Sequence, residues 1–310
     1  MILCLTPNPA IDRTMYLDVL YIGEVHRTNK VLAAAGGKGL NVARAIRTLG
    51  GDPLCMGFLG GHAGNLLSEL AEQEGLHGYW TRTKNETRTC IILVQPNRDA
   101  TVINDPGAAV DLDECKSLVF DVWEKSFEAS RVCVSGSLPP GFSLDLFKSM
   151  LAGLVERKKS VWVDTSSQAL KTALSVRGVN IKVNAAELSE ALGVEISNTE
   201  QAVNAAWELC QSGIEWAVVT LGKQGAVLVS ADESWVAQPP EIQIVSSVGS
   251  GDAFLGGLAF AFSKGYTPDL ALRHAVAAGA ANALCAGGGV LSLADFGKLY
   301  ENCVCTEGIS

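Results

Sequence analysis

The stretch from Ser246 to Phe262, SSVGSGDAFLGGLAFAF, places Asp252 directly after a glycine turn, Gly249-Ser250-Gly251. The β-branched run Ile242 to Val248 feeds that turn, and an apolar run that reads as a buried helix leaves it and ends near Gly265. Glycines at 249 and 251 permit positive φ and let backbone N–H groups approach an anion closely. The helix adds the positive end of its dipole. A carboxylate held there ionises readily and can take the proton of a hydroxyl that attacks a phosphate. The plainer reading makes Asp252 an N-cap in a glycine-rich turn. This stretch alone supports both.

A second glycine turn carries a cation. Ala35-Gly36-Gly37-Lys38-Gly39-Leu40-Asn41 opens a helix in which Val42, Ile46 and Leu49 follow helical spacing, and Gly50-Gly51 stops it. The glycines flanking Lys38 suggest backbone held close to a ligand. No GxxxxGK[ST] frame fits, so this is not a Walker A loop. Neither turn matches GxGxxG, which counts against a dinucleotide site. Asp12 and Asn41 are candidates for sugar hydroxyls, and Lys38, Arg27 and Arg88 for a substrate phosphate. For Arg27 taken alone, a solvated cation on a sheet edge is the simpler reading. Glu187, with Asn184 nearby, can hold Mg²⁺ directly or through water, or serve as an exposed carboxylate in a helix's first turn. The segment Thr220-Leu221-Gly222-Lys223-Gln224-Gly225 can follow nucleotide phosphates.

These residues need a scaffold, and the chain supplies a β-α rhythm. Ile2 to Leu5 and Pro53 to Leu59 read as strands, Ala63 to Glu74 as a helix. From about residue 111 the rhythm is regular: helix Leu112 to Phe127, strand Val132 to Val134, a helix capped by Ser143 and running to Lys158, strand Val161 to Val163, strand Asn180 to Val183, a helix capped by Thr199, strand Ala217 to Thr220, and a helix from Thr267-Pro268-Asp269 to about Leu284. Such alternation implies a parallel sheet covered on both faces, with ligands beyond the carboxyl ends of its strands. Four successive strand ends carry polar residues and the GSGD turn makes a fifth, which favours a site there. Met15 to Leu20, Thr28 to Ala33, Thr87 to Gln95 and Ala100 to Asn104 interrupt the rhythm as short extended segments. The last two are joined by the turn-like Pro96-Asn97-Arg98-Asp99. Together they predict a small separate sheet, a lid over a cleft.

The 310 residues carry a formal net charge of −9 and no basic block, which argues against nucleic acid or a membrane surface as main partner. No apolar run reaches transmembrane length and no basic n-region opens the chain, so a cytoplasmic protein is expected. Nine cysteines occur without a CxxC pair, and Cys4, Cys55, Cys90, Cys133 and Cys210 lie in apolar runs as expected of buried thiols. Cys303 and Cys305 are expected on a frayed tail.

AGGKGLNVARAIRTLGG (35–51) and VGSGDAFLGGL (248–258) resemble the two signatures of the ribokinase-like carbohydrate kinases, the phosphofructokinase-B family. TPNPAIDRT (6–14), ETRTCI (86–91), VSGSLPPG (134–141) and TLGKQGA (220–226) resemble its 1-phosphofructokinase and tagatose-6-phosphate kinase branch. The resemblance runs from the first strand to about residue 290. It implies a single kinase domain over 1–310, a three-layer α/β/α body with a mostly parallel sheet and a β lid from about 13–34 and 87–105, often paired with the lid of a second subunit in a homodimer. It implies ATP and Mg²⁺, with Asp252 as base and Gly249, Ser250 and Gly251 as the anion hole. By position it assigns Asp12, Gly36, Gly37, Lys38, Asn41, Arg88 and Ser137 to a sugar phosphate. Lys182, Asn184, Glu187, Thr220 to Gly225 and Asn282 fall on the nucleotide and metal side. Val183 stands where the family commonly has proline, from which altered loop stiffness is expected. Ser250 stands where alanine is common and keeps a small residue in the cradle. The implied reaction is ATP-dependent phosphorylation of a ketohexose phosphate, fructose 1-phosphate first, with tagatose 6-phosphate or fructose 6-phosphate as alternatives. A silent sugar-phosphate sensor would typically lose the base or the cradle, and both are present.

Overall fold

The computed structural model describes residues 1–96 and 100–308. Its strands in chain order are β1 (Ile2–Thr6), β2 (Ala10–Tyr16), β3 (Val31–Gly36), β4 (Pro53–Gly60), β5 (His77–Thr83), β6 (Arg88–Val94), β7 (Thr101–Ile103), β8 (Arg131–Ser135), β9 (Ser160–Asp164), β10 (Asn180–Asn184), β11 (Trp216–Thr220), β12 (Ala226–Val229), β13 (Ser234–Gln238) and β14 (Val304–Glu307). The helices are α1 (Lys38–Thr48), α2 (Gly61–Gln73), α3 (Leu112–Ser126), α4 (Leu144–Glu156), α5 (Ser167–Leu174), α6 (Ala185–Leu192), α7 (Thr199–Ser212), α8 (Ser250–Ser263), α9 (Pro268–Ala283) and α10 (Leu293–Asn302).

A ten-stranded sheet runs in the order β14-β13-β12-β11-β10-β9-β8-β1-β4-β5. From β11 to β5 every neighbouring pair is parallel, and β12, β13 and β14 close the far edge antiparallel. Both faces are apolar because side chains alternate. Leu3, Leu5, Val132, Val134, Val161 and Val163 face the layer of α3 to α7, whereas Ile2, Cys4, Cys133 and Trp162 face that of α1, α2, α8 and α9. This is the expected three-layer α/β/α body.

Helix α8 is apolar all round and lies deep in its layer, which fixes the depth of Asp252. Gly256 and Gly257 permit this. A Cβ at 256 would stand 2.8 Å from Ala45 Cβ on α1, and one at 257 would stand 2.7 Å from Ala278 Cβ on α9.

The expected lid is present as a separate four-stranded sheet, β3-β2-β6-β7. Its first two strands differ from expectation. β2 starts at Ala10 and stops at Tyr16, because Ala10 to Tyr16 pair in parallel with Arg88 to Val94; β3 runs on to Gly36 opposite Ala10. Asn97, Arg98 and Asp99 of the expected turn lie outside the described residues.

Other expectations need correction. Asn198, not Thr199, caps α7, its side chain accepting from Gln201 N. Ile242 to Val248 forms no strand, despite its β-branched content. The C-terminal segment is not frayed: β14 pairs with β13, and Cys303 is buried. Val183 is not a loop residue but a buried strand residue paired with Val219. The short helix α5, strand β5 (HGYWTRT, largely polar) and the antiparallel edge carried no clear periodic signal.

Candidate active site

Gly249 adopts φ 78° at the N-cap of α8, and a Cβ there would fall 2.3 Å from Gly288 Cα. Only glycine allows both the positive φ and that approach. Asp252 sits in the first turn of the helix rather than at the cap. It is buried, and Asn41 Nδ2 donates to its Oδ2 at 2.8 Å. Against the expectation of ready ionisation at a helix N-terminus, burial pushes its carboxyl above the ordinary range; Lys38 and Lys182 pull it back, and Asp164 pushes it up again. A deeply set carboxylate of raised proton affinity beside a helix N-terminus is suited to general-base work.

The organising carboxylate of this site is Asp164, at the carboxyl end of β9 and fully buried. Its Oδ1 accepts from Lys38 Nζ and its Oδ2 from Lys182 Nζ, both at 2.7 Å. Burial opposes its ionisation, but the two ammoniums outweigh that and hold its carboxyl below the ordinary range. Lys38 is correspondingly held above its usual value, since Asp164 and Asp252 overcome the depressing effect of burial. Lys182 lies on the α8 face of β10, and a Cβ at Gly251 would stand 2.7 Å from its Nζ. One buried carboxylate thus orients two cations, Lys182 against Gly251 of the GSG turn and Lys38 toward Glu187, and both act on the charge of Asp252. The signal of Asp164 in the sequence is its position directly after the strand Val161 to Val163, at a carboxyl end.

An open cleft of about 1200 Å³ lies between the lid sheet and the segments 244–248 and 286–290. Asp12 of β2 and Asn41 and Arg44 of α1 line it. Burial raises the Asp12 carboxyl to about 6, against the opposing pull of Arg88 and Arg44. Gly36 leaves room for that carboxylate, since a Cβ there would overlap it at 2.2 Å from Asp12 Cγ.

The remaining predicted residues divide. Arg88 is turned onto backbone carbonyls, donating to Asn8 O (Nη2 at 2.7 Å) and Asp105 O (Nη1 at 2.6 Å). Ser137 lies beside it, its hydroxyl accepting from Asn8 Nδ2 at 3.4 Å. Arg27 is exposed on the β2–β3 connection and is not brought to the site. Asn282 is fully buried and donates to the carbonyls of Gly287 and Val290, so it folds the 287–290 loop instead of facing the cleft. Asn184 and Glu187 form a capping box on α6, and the other oxygen of Glu187 stands 4.0 Å from Lys38 Nζ. Thr220 to Gly225 form a tight turn at the end of β11, with Lys223 and Gln224 exposed.

The cradle fits a phosphate. Gly249 to Gly251 open a helix with no side-chain cap, Lys182 abuts them, and the Ser250 hydroxyl is buried without a partner among the described residues. Among the described residues no three His, Cys, Asp or Glu side chains group as a metal cage. The single carboxylate of Glu187 fits a hard cation that keeps mostly water and phosphate ligands, as Mg²⁺ does.

The pfkB family carbohydrate kinase model matches residues 6–294. A tagatose-6-phosphate kinase from Staphylococcus epidermidis is 30% identical over 304 residues, covering 97% of this chain and 98% of that protein. A 1-phosphofructokinase from Escherichia coli is 31% identical over 276 residues, 89% of this chain and 88% of that one. The structure of Escherichia coli phosphofructokinase-2 in complex with substrates and products superposes with a TM-score of 0.89 at 30% identity, covering 97% and 98% of the two chains.

Proposed function

The chain belongs to the pfkB family of carbohydrate kinases, and from this membership and the site geometry we propose that it transfers the γ-phosphoryl group of ATP to a ketohexose monophosphate, yielding a bisphosphate. It is an ATP-dependent sugar kinase. The observation that carries the reading is the meeting at one helix terminus of the GSG turn, the buried Asp252 and Lys182, which Asp164 orients together with Lys38.

Asp252 Oδ1 has no side-chain hydrogen bond among the described residues, while Oδ2 is engaged by Asn41. In the proposed reaction Oδ1 takes the proton of the acceptor hydroxyl as its oxygen bonds to the γ-phosphorus and the bond from phosphorus to the ADP oxygen breaks. The N–H groups of the GSG turn, the α8 dipole and Lys182 stabilise charge on the transferring group. Asp12 positions sugar hydroxyls in the cleft, with Asn41 on its wall. Gly36 clears the space the Asp12 carboxylate takes, and Gly37 and Gly39 let α1 begin hard against Thr6 and Leu5 of β1, a close approach to the sheet where the sequence suggested one to a ligand. Lys38, Arg88 and Ser137 serve the acceptor's own phosphate, Arg88 by exchanging backbone carbonyls for phosphate oxygens. Thr220 to Gly225, Lys182 and Asn184 serve the nucleotide, and Glu187 would hold Mg²⁺, through water in keeping with its capping role. Bound Mg²⁺ would neutralise phosphate charge.

We take fructose 1-phosphate, phosphorylated at O6, as the first substrate, on the TPNPAID opening and the branch motifs. Tagatose 6-phosphate is the second reading, favoured by near end-to-end coverage of the Staphylococcus epidermidis relative. Coupled ADP release with Mg-ATP and fructose 1-phosphate, tagatose 6-phosphate, fructose 6-phosphate or fructose, offered in parallel, tests both. Preference for one phosphorylated ketose is expected; preference for free fructose would overturn the phosphate roles of Lys38 and Arg88.

We further propose a homodimer through the lid, on which Ile22, Val25 and Ile103 are exposed apolar side chains that a partner's lid would cover. No helix among the described residues is long and apolar enough to cross a membrane, and we place the enzyme in the cytoplasm with its soluble substrates.

A further inference from the structure

Arg44 lines the cleft and carries the charge expected of a phosphate ligand, yet protein acceptors occupy it. Its Nε donates to Glu74 Oε2 at 2.5 Å, Nη1 to Asn41 Oδ1 at 2.8 Å and to Gly288 O at 2.7 Å, and Nη2 to Ala35 O at 2.8 Å. Four of the five N–H donors of a guanidinium are spent this way. The acceptors lie at the C-cap of α2, on α1, in the 286–290 loop and on the lid strand β3.

The consequence falls on Asn41. A guanidinium has no acceptor, so the amide atom that faces Arg44 is the oxygen, and the NH₂ is turned to Asp252 Oδ2. An amide NH₂ at a carboxyl oxygen favours the ionised carboxylate. The reversed amide would place oxygen against oxygen and require a proton between them. We infer that Arg44 is a positioning residue, locking the Asn41 amide so that Asp252 stays ionised and ready to accept the proton of the acceptor hydroxyl. The inference rests on the proposed role of Asp252 as base and adds to it the device that sets its proton affinity.

Other charges face Asp252 and act in both directions. Lys38 on α1 and Lys182 on β10 favour its ionised form, and Asp164 on β9 opposes it. Asp12 on β2 is coupled to Asp252 by like charge. None of these fixes the Asn41 amide. Glu74 holds the far edge of the guanidinium and leaves the Asn41 and Gly288 bonds to Nη1.

The test is the pH dependence of kcat/KM between about pH 5 and 9, with saturating Mg-ATP and fructose 1-phosphate, or tagatose 6-phosphate if that is turned over faster. The substrate's own phosphate titrates identically for every variant, so only differences between variants are read. Arg44→Met frees the amide, and, read in an Asp12→Asn background because Arg44 also pulls on the Asp12 carboxyl, its acid limb should move up by about one unit, a roughly tenfold loss below the limb, with the KM for ATP unchanged. Arg44→Lys, with one nitrogen unable to fill Asn41 and Gly288 together, should lie between wild type and Arg44→Met, and reads the same limb should the methionine variant not fold. Glu74→Gln should leave the limb in place. A folded Arg44 variant whose rate falls evenly at all pH values, its limb at the wild-type position, overturns the inference. Asp252→Asn is run alongside. If it retains turnover, the base assignment fails and the inference with it; if it is inactive while the Arg44 variants keep the wild-type limb, the inference alone fails.

Discussion

Replacing Asp164 by asparagine removes one charge from between two ammoniums. At 2.7 Å and an effective dielectric near 20, each Lys–Asp164 contact is a gross attraction of about 6 kcal/mol. The two lysines do not lose equally. The Lys38 side chain is 38% exposed and water screens it once freed, whereas Lys182 is 4% exposed and is left as a stranded cation. The net cost is therefore that of breaking one buried pair, about 3–5 kcal/mol. Urea denaturation at pH 7 measures it. Asp164 is held below its ordinary 3.8, so its contribution is fully present above that value and is lost as pH falls through the folded one; the gap between wild type and variant should close below about pH 4. Kinetically, Lys182 loses its anchor beside Gly251 and kcat falls. Because Asp164 also pushes the Asp252 carboxyl up, its removal moves the acid limb of kcat/KM down, opposite to the shift expected of Arg44→Met. A stability loss under about 1 kcal/mol, or a limb that moves up, refutes the view of Asp164 as the site's electrostatic anchor.

Two further outcomes follow from buried titratable groups. Asp12→Asn should stabilise the protein by about 2–3 kcal/mol at pH 7, because the folded state raises this carboxyl from 3.8 to about 6 and so resists ionisation as pH rises through that window; the same variant should raise KM for the sugar phosphate and not for ATP, and lower stability at pH 7 would contradict it. His274, packed among Phe260, Tyr266, Phe296 and Tyr300, is pushed down by burial to about 4. Its native state resists a proton that the unfolded chain binds, so stability should fall by about 3 kcal/mol between pH 6.5 and 4, and His274→Phe should flatten that decline in thermal melts across the range.

Features written in local sequence were the legible ones. Both glycine turns and the helices behind them could be read because a turn and the apolar period after it lie within one short window, as with Gly37 before α1 and Gly249 before α8. The carboxyl ends of β8 to β11 could be placed on one edge because regular β-α alternation dictates a parallel sheet. What escaped depends on distance along the chain. Asp164 is 126 positions from Lys38, and nothing in SVWVD distinguishes an anchor from a polar strand end. Arg44 reads as one more helical cation until Gly288, 244 positions away, is seen to accept from it. Asn282 is placed on the nucleotide side by the resemblance alone, and the loop that consumes its donor follows it in sequence with no regular pattern. Charge alone makes Arg27 a phosphate candidate, and the β2–β3 connection leaves it in solvent.

The most direct test of the account is Asp252→Asn in the ADP-release assay, with ATP affinity measured on the same protein by calorimetry. An amide of the same shape preserves the Asn41 contact region and the GSG cradle but cannot take a proton. ATP binding is expected close to wild type and kcat lower by about 10²–10⁴-fold at every pH. Turnover near the wild-type rate, with the usual acid limb intact, would contradict it.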